Sequence, residues 1–145
     1  MSSHPRPAHR RPLVLGLVWL GGAIGTTGRY LISRATPPAY GVPAATLVIN
    51  VVGALLLGLL IERLARGGAD VGHRQLVRLT LGTGVLGGFT TYSALAADTV
   101  SLVDHGRIGA AVAYALTTVV LGLVAAAVGL RLGRLGSGSA RGAAR

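Results

Sequence analysis

The chain lacks cysteine and lysine altogether, and it carries only four acidic residues in 145. Without cysteine, disulfides and thiolate metal sites are excluded. The acids are Glu62, Asp70, Asp98 and Asp104. They leave three of the four apolar runs described below without a carboxylate. A proton-coupled cation exporter needs an embedded carboxylate that alternates between proton and substrate, so that class is disfavoured. Aromatics are scarce, with one Phe, one Trp and four Tyr. The histidines (His4, His9, His73, His105) fall in termini and loops. No Ser-His-Asp or metal constellation lies inside the apolar runs, and the chain does not read as an enzyme.

What is present points to lipid. Hydrophobic residues make up 51% of the chain and charged residues 12%, with a mean hydropathy of +0.62. Soluble domains carry roughly 25% charged residues. Glycine is abundant, at 23 residues, and glycine allows helices to approach closely in a membrane. The net charge of +10 comes from 14 arginines. These lie between apolar runs and at the ends rather than along one helical face, so nucleic-acid binding is not expected.

Four apolar runs follow in order, at about 13–32, 44–61, 75–103 and 108–130. Each is long enough to cross a hydrocarbon core as a helix. Continuously apolar runs of this length are helices rather than alternating barrel strands. The first run is too long for a signal peptide, and no A-x-A site follows it. The expected organisation is a disordered basic segment at 1–12, a membrane domain at 13–132 and a disordered basic tail at 133–145. With four spans, eleven arginines share the face of the two termini and the middle loop, whereas Arg34 and Arg107 lie on the other. The positive-inside rule then puts both termini in the cytoplasm of a multi-pass cell-membrane protein.

The third run contains "GTGVLGGFTTYS" at 82–93, with its most helix-breaking and most polar residues at the centre. Gly82, Gly84 and Gly87 match a dinucleotide fingerprint by letters. The strand, the soluble βαβ unit and the later acidic residue of that fingerprint are missing. Gly21/Gly25 and Gly84/Gly88 are small-xxx-small pairs suited to helix packing. Packing does not account for Thr90, Thr91, Tyr92 and Ser93, which follow in sequence. Either one of them faces a polar partner or the helix breaks there. A break at membrane depth must be buried in protein or line a wet cavity. Freed carbonyls there hold cations, and helix N-termini attract anions.

Asn50 sits mid-span, where it either bridges two helices or offers its amide N–H groups to an anion. Tyr114 and Thr118 are i, i+4 on the fourth run and share a face with Thr117 beside them. They form either a hydrogen-bonding track or interhelical bonds. Arg29, near the end of the first run, reads as a structural anchor. Asp98 is read as a helix cap, a partner for Arg29 or an interfacial residue.

The blocks "GxxGTTGRY", "ATLVINVVGALLLGLL", "GTGVLGGFTTYS" and "DHGRIGAAVAY" together resemble the Fluc/CrcB fluoride channels, over about 15–130 and in the right order. The resemblance implies an all-α membrane protein with four transmembrane helices. The third would be broken at its centre, and two subunits would form an antiparallel dimer. It implies a structural Na⁺ at the dimer centre, held by backbone carbonyls at Gly87 and Thr90. It implies fluoride pathways lined by Asn50, Thr91, Tyr92, Ser93, Tyr114 and Thr118; the structural roles of Arg29, Gly84 and Gly88 rest on the residues themselves, as read above. The implied role is passive fluoride export that lowers the cytoplasmic concentration. The alternatives are a small multidrug-type exporter and a non-transporting membrane scaffold. Physical chemistry agrees with the pore reading. Fluoride is strongly hydrated, so its path must supply closely placed donors without binding it too tightly. A buried cation beside the path raises the local potential.

Two departures from the family pattern stand out. The family motif runs T-T-F-S-T-F, whereas this chain reads Thr90-Thr91-Tyr92-Ser93-Ala94-Leu95. Tyr92 keeps a ring, but Leu95 offers no positive ring edge to an anion. The arginine bias also favours a single orientation, which opposes an antiparallel homodimer. The chain is therefore expected to be one half of a heterodimer with an oppositely oriented paralogue, leaving one pore degenerate.

Overall fold

The computed structural model describes residues 11–38 and 41–135, and every regular element among them is helical. The terminal segments expected to be disordered lie mostly outside the described residues. α1 spans Pro12–Ala35. It opens with a proline at its N-terminus, where the missing N–H costs nothing. α2 spans Ala44–Arg66. The third apolar run is divided among several elements. A short α3 (His73–Val77) passes into a nine-residue π-helix (Arg78–Leu86), then one turn, α4 (Gly87–Phe89). After a break, α5 runs over Tyr92–Asp104, and α6 spans Ile108–Leu135.

α2 and α6 are each long and apolar enough to cross a membrane. Both outlast their apolar runs. α2 continues through Glu62 and Arg66, joined by an i, i+4 ion pair at 3.0 Å. α6 continues to Leu135, and Arg134 reaches the same Glu62 at 3.3 Å. α1 is long, but Thr26, Thr27 and Arg29 dilute its apolar character. The third run is apolar but is cut by the break.

The helices meet through glycine. Along the α1 contact with the π-helix and α4, a Cβ on Gly21 would lie 2.7 Å from Thr80 O. One on Gly84 would lie 2.8 Å from Val18 O, and one on Gly88 2.5 Å from Gly22 O. The two small-xxx-small pairs therefore pack against each other's helices, as close approach in lipid requires. α2 and α6 pack the same way. A Cβ on Gly58 would strike Ala126 O, and one on Gly129 would strike Leu55 O.

The turn between α5 and α6 is a Schellman motif. Gly106 takes φ +72°, Gly106 N–H donates to Val103 O at 2.8 Å, and Arg107 N–H donates to Leu102 O at 2.9 Å. Arg107 Nη1 then donates to Gly41 O at 2.8 Å. The α1–α2 and α5–α6 connections thus meet at one end of the bundle, and the ends of α2 and α6 meet at the other. A small core of Leu95, Leu102, Ala111 and Tyr114 closes the first end, with Val42 and Leu47 packed on it. The outward faces are apolar, with Trp19, Leu31, Leu116 and Leu123 among the exposed side chains.

Candidate functional site: the break in the third run

The helix stops where hydroxyls replace aliphatic side chains. Thr90 (ψ 157°) and Thr91 (φ −151°, ψ 122°) are extended. Several of the freed backbone groups are met by particular side chains. Asn50 on α2 brackets the Thr91 residue: its Nδ2 donates to Thr91 O at 2.9 Å, and its Oδ1 accepts from Thr91 N–H at 2.8 Å. Thr91 Oγ1 caps α5 by accepting from Ala94 N–H at 3.1 Å, and it lies 3.1 Å from Ser93 Oγ. Thr90 Oγ1 donates back to Leu86 O at 2.9 Å.

From α1, Arg29 Nε and Thr26 Oγ1 donate to Gly88 O at 3.2 and 3.3 Å. Arg29 is thus a ligand of the break itself. It does not pair with Asp98, as one reading of the sequence allowed. Asp98 Oδ2 instead accepts from Tyr114 Oη at 3.0 Å, and Tyr114 Oη also lies 3.3 Å from Pro43 O.

A cavity of about 340 Å³ opens at the break. Asn50, Thr90, Thr91, Tyr92, Leu95 and Thr118 line it, with Gly53 and Leu57 on the α2 side. The structure therefore brings together Asn50, Thr91, Tyr92 and Thr118 from the sequence-derived pathway set. Tyr114 and Ser93 are not on this wall. Tyr114 is 4% exposed and faces a separate cavity with Val42 and Thr117. Ser93 is turned toward the α5 cap. Tyr92 is 83% exposed, whereas Leu95 is 8% exposed and contributes to both the cavity wall and the core.

The donors on this wall are unequal. The Asn50 carboxamide cannot turn, because its oxygen is held by an N–H and its nitrogen by a carbonyl. Its Nδ2 carries two protons and Thr91 O takes one, so a second, oriented proton is left over from this pair. The Thr118 proton is spent on Tyr114 O at 2.8 Å. Gly87 stands in the last turn before the break, and Thr90 is its first extended residue. Thr91 N–H would serve Gly87 O in a continuous helix, but it is diverted to Asn50. Among the described residues no cluster of His, Cys, Asp or Glu is arranged to hold a metal. Any cation at the break would take carbonyl oxygen, the donor type that suits a hard ion such as Na⁺.

Sequence reasoning did not single out Thr26, which shares Gly88 O with Arg29, or Thr46, a buried polar residue at the start of α2. Thr26 stands beside Arg29 in the "GTTGRY" block, so proximity to a candidate anchor was the available signal.

A family model described as "CrcB-like protein, Camphor Resistance (CrcB)" matches residues 16–130. The chain is 48% identical over 132 residues to the "Fluoride-specific ion channel FluC 2" of Leifsonia xyli subsp. xyli, covering 91% of this chain and 90% of that protein. It is 50% identical over 118 residues to the "Fluoride-specific ion channel FluC 1" of Cutibacterium acnes, covering 81% and 82%. The "Fluoride-specific ion channel FluC" of Thermus thermophilus is 43% identical over 119 residues, covering 81% and 92%.

Proposed function

The chain belongs to the CrcB-like protein family, and on that premise we propose that it is a fluoride-specific ion channel that lets fluoride leave the cytoplasm passively. The single observation that carries this reading is the oriented Asn50 carboxamide beside the cavity at the break. It supplies a neutral donor at membrane depth. A neutral donor replaces lost water without trapping the ion as a full charge would.

The finer reading has four membrane spans (α1, α2, the broken third run and α6) with both termini cytoplasmic. The arginine distribution supports it, as do the two bundle ends, one joined through Arg107–Gly41 and the other through Arg134–Glu62. The working unit is an antiparallel dimer in the membrane, and this chain is one half of a heterodimer with an oppositely oriented paralogue. The bias of eleven arginines against two supports a fixed orientation. The exposed Tyr92, standing at the mouth of an open groove, supports a partner surface there.

Na⁺ is a structural ion in this reading, held by the carbonyls of Gly87 and Thr90 and never transported. The support is the diversion of Thr91 N–H away from Gly87 O. When bound, the ion would supply a fixed positive potential beside the anion path. Arg29 and Thr26 hold the Gly88 carbonyl, Asn50 holds Thr91, and together they fix the backbone around it.

The test is fluoride efflux from liposomes, read with a fluoride electrode, for the purified chain alone and combined with an oppositely biased paralogue. Efflux selective over chloride in the combined sample is expected. Its absence from both samples would overturn the channel reading. Robust efflux from the chain alone would remove the heterodimer reading and keep the channel.

A further inference from the structure

A second cavity, of about 390 Å³, lies between α2 and the π-helix on the N-terminal side of the break, with Leu86, whose carbonyl accepts from Thr90, in its wall. Its walls are Leu56, Leu60, Leu81, Val85 and Leu86, and Arg63 stands at its rim. At this end of the bundle the carboxylates are taken. Glu62 pairs with Arg66 and Arg134, and Asp70 pairs with Arg78 at 2.8 Å. Among the described residues Arg63 has no carboxylate partner, and it is exposed. The cavity therefore joins an apolar channel between helices to an uncompensated guanidinium, on the face that carries most of the arginines.

We propose that this groove holds one anionic phospholipid, with an acyl chain along the leucine wall and the phosphate on Arg63. Two features select that occupant. The guanidinium fork matches phosphate geometry. The arginine-rich end, placed on the cytoplasmic side by the preceding reading, faces the leaflet where basic pockets between helices meet anionic headgroups. A zwitterionic lipid offers the same chain but no net charge, and a free phosphate offers no chain.

Native mass spectrometry of the full chain released from detergent tests this, with phosphatidylglycerol and phosphatidylcholine supplied in equal amounts. Wild type is expected to retain phosphatidylglycerol preferentially. Arg63→Ala should lose that preference by about fivefold, in line with one basic side chain near a headgroup, while Arg63→Lys keeps part of it. Leu60→Trp, which fills the groove and leaves Arg63 intact, should also release the lipid. Equal retention of the two lipids by wild type, or unchanged preference in Arg63→Ala and Leu60→Trp, would overturn the proposal. In this cysteine-free chain, oxidation of a Leu60→Cys variant to a covalent dimer would assign the groove to a second copy and overturn it as well. Fluoride efflux from phosphatidylcholine liposomes is read separately, so failure of lipid binding and failure of the channel reading remain distinguishable.

Discussion

Asn50 and Thr91, 41 residues apart in sequence, exchange two hydrogen bonds, so one side chain takes over both the donor and the acceptor that the third run gives up at its break. Removing it leaves two polar groups of a half-buried residue unpaired, at about 1–3 kcal/mol each. Asn50→Ala should lower the melting temperature and abolish fluoride flux. Asn50→Asp keeps an acceptor for Thr91 N–H but loses the oriented donor. It should regain part of the stability and none of the flux. Wild-type fluoride efflux from the alanine variant would take Asn50 out of the pathway and overturn the pore assignment.

The break illustrates what was legible in the sequence. Four hydroxyls after a glycine pair made a continuous apolar helix implausible, and Asn50 was the one amide at matching depth. The partnership between them was not legible, because periodicity says nothing about which helix lies opposite. The π-helix at Arg78–Leu86 also left no signal. Its i→i+5 register has no counterpart in the apolar pattern of the run, which reads the same for an ordinary helix. Tyr114 and Thr118 are one turn apart on α6, yet they line two different cavities. Spacing on a helix cannot reveal that Tyr114 Oη turns toward Asp98.

The glycine contacts predict a sharp positional contrast. At Gly88 a methyl group would meet Gly22 O at 2.5 Å, whereas at Gly122 a Cβ finds nothing within 4 Å. Overpacking of this kind costs about 1–3 kcal/mol. Gly88→Ala should therefore unfold at a clearly lower temperature. Gly122→Ala should match or exceed wild type, because alanine is the better helix former by about 1 kcal/mol. Equal melting temperatures for the two variants, measured in the same detergent, would contradict the tight seating of α1 on the third run.

Tyr114 is expected to act as a latch. Its hydroxyl ties α6 to Asp98 on α5 and lies 3.3 Å from Pro43 O at the start of α2. Tyr114→Phe leaves the Asp98 carboxylate without that donor and should destabilise the fold by about 1–3 kcal/mol. Because Tyr114 is not on the wall that carries Asn50, flux per folded channel should fall far less than in Asn50→Ala. A variant with wild-type stability and no flux would place the hydroxyl in the ion path instead.

The proposed Na⁺ gives a prediction that needs no mutation. An ion that binds only the folded state at about one hundred times its dissociation constant adds about 2.7 kcal/mol. Exchanging Na⁺ for N-methyl-D-glucamine, too large for a carbonyl cage, should therefore lower the melting temperature of the assembled channel. Arg29 sharpens the test. Its guanidinium donates to Gly88 O, one residue from the Gly87 carbonyl assigned to the ion, and like charges at such range repel. Arg29→Gln keeps a donor and removes the charge, so the Na⁺ concentration giving half of the stabilisation should fall. An identical melting temperature in both salts would sink the structural-ion assignment. A Na⁺ dependence that Arg29→Gln leaves unshifted would instead place the ion away from Gly87.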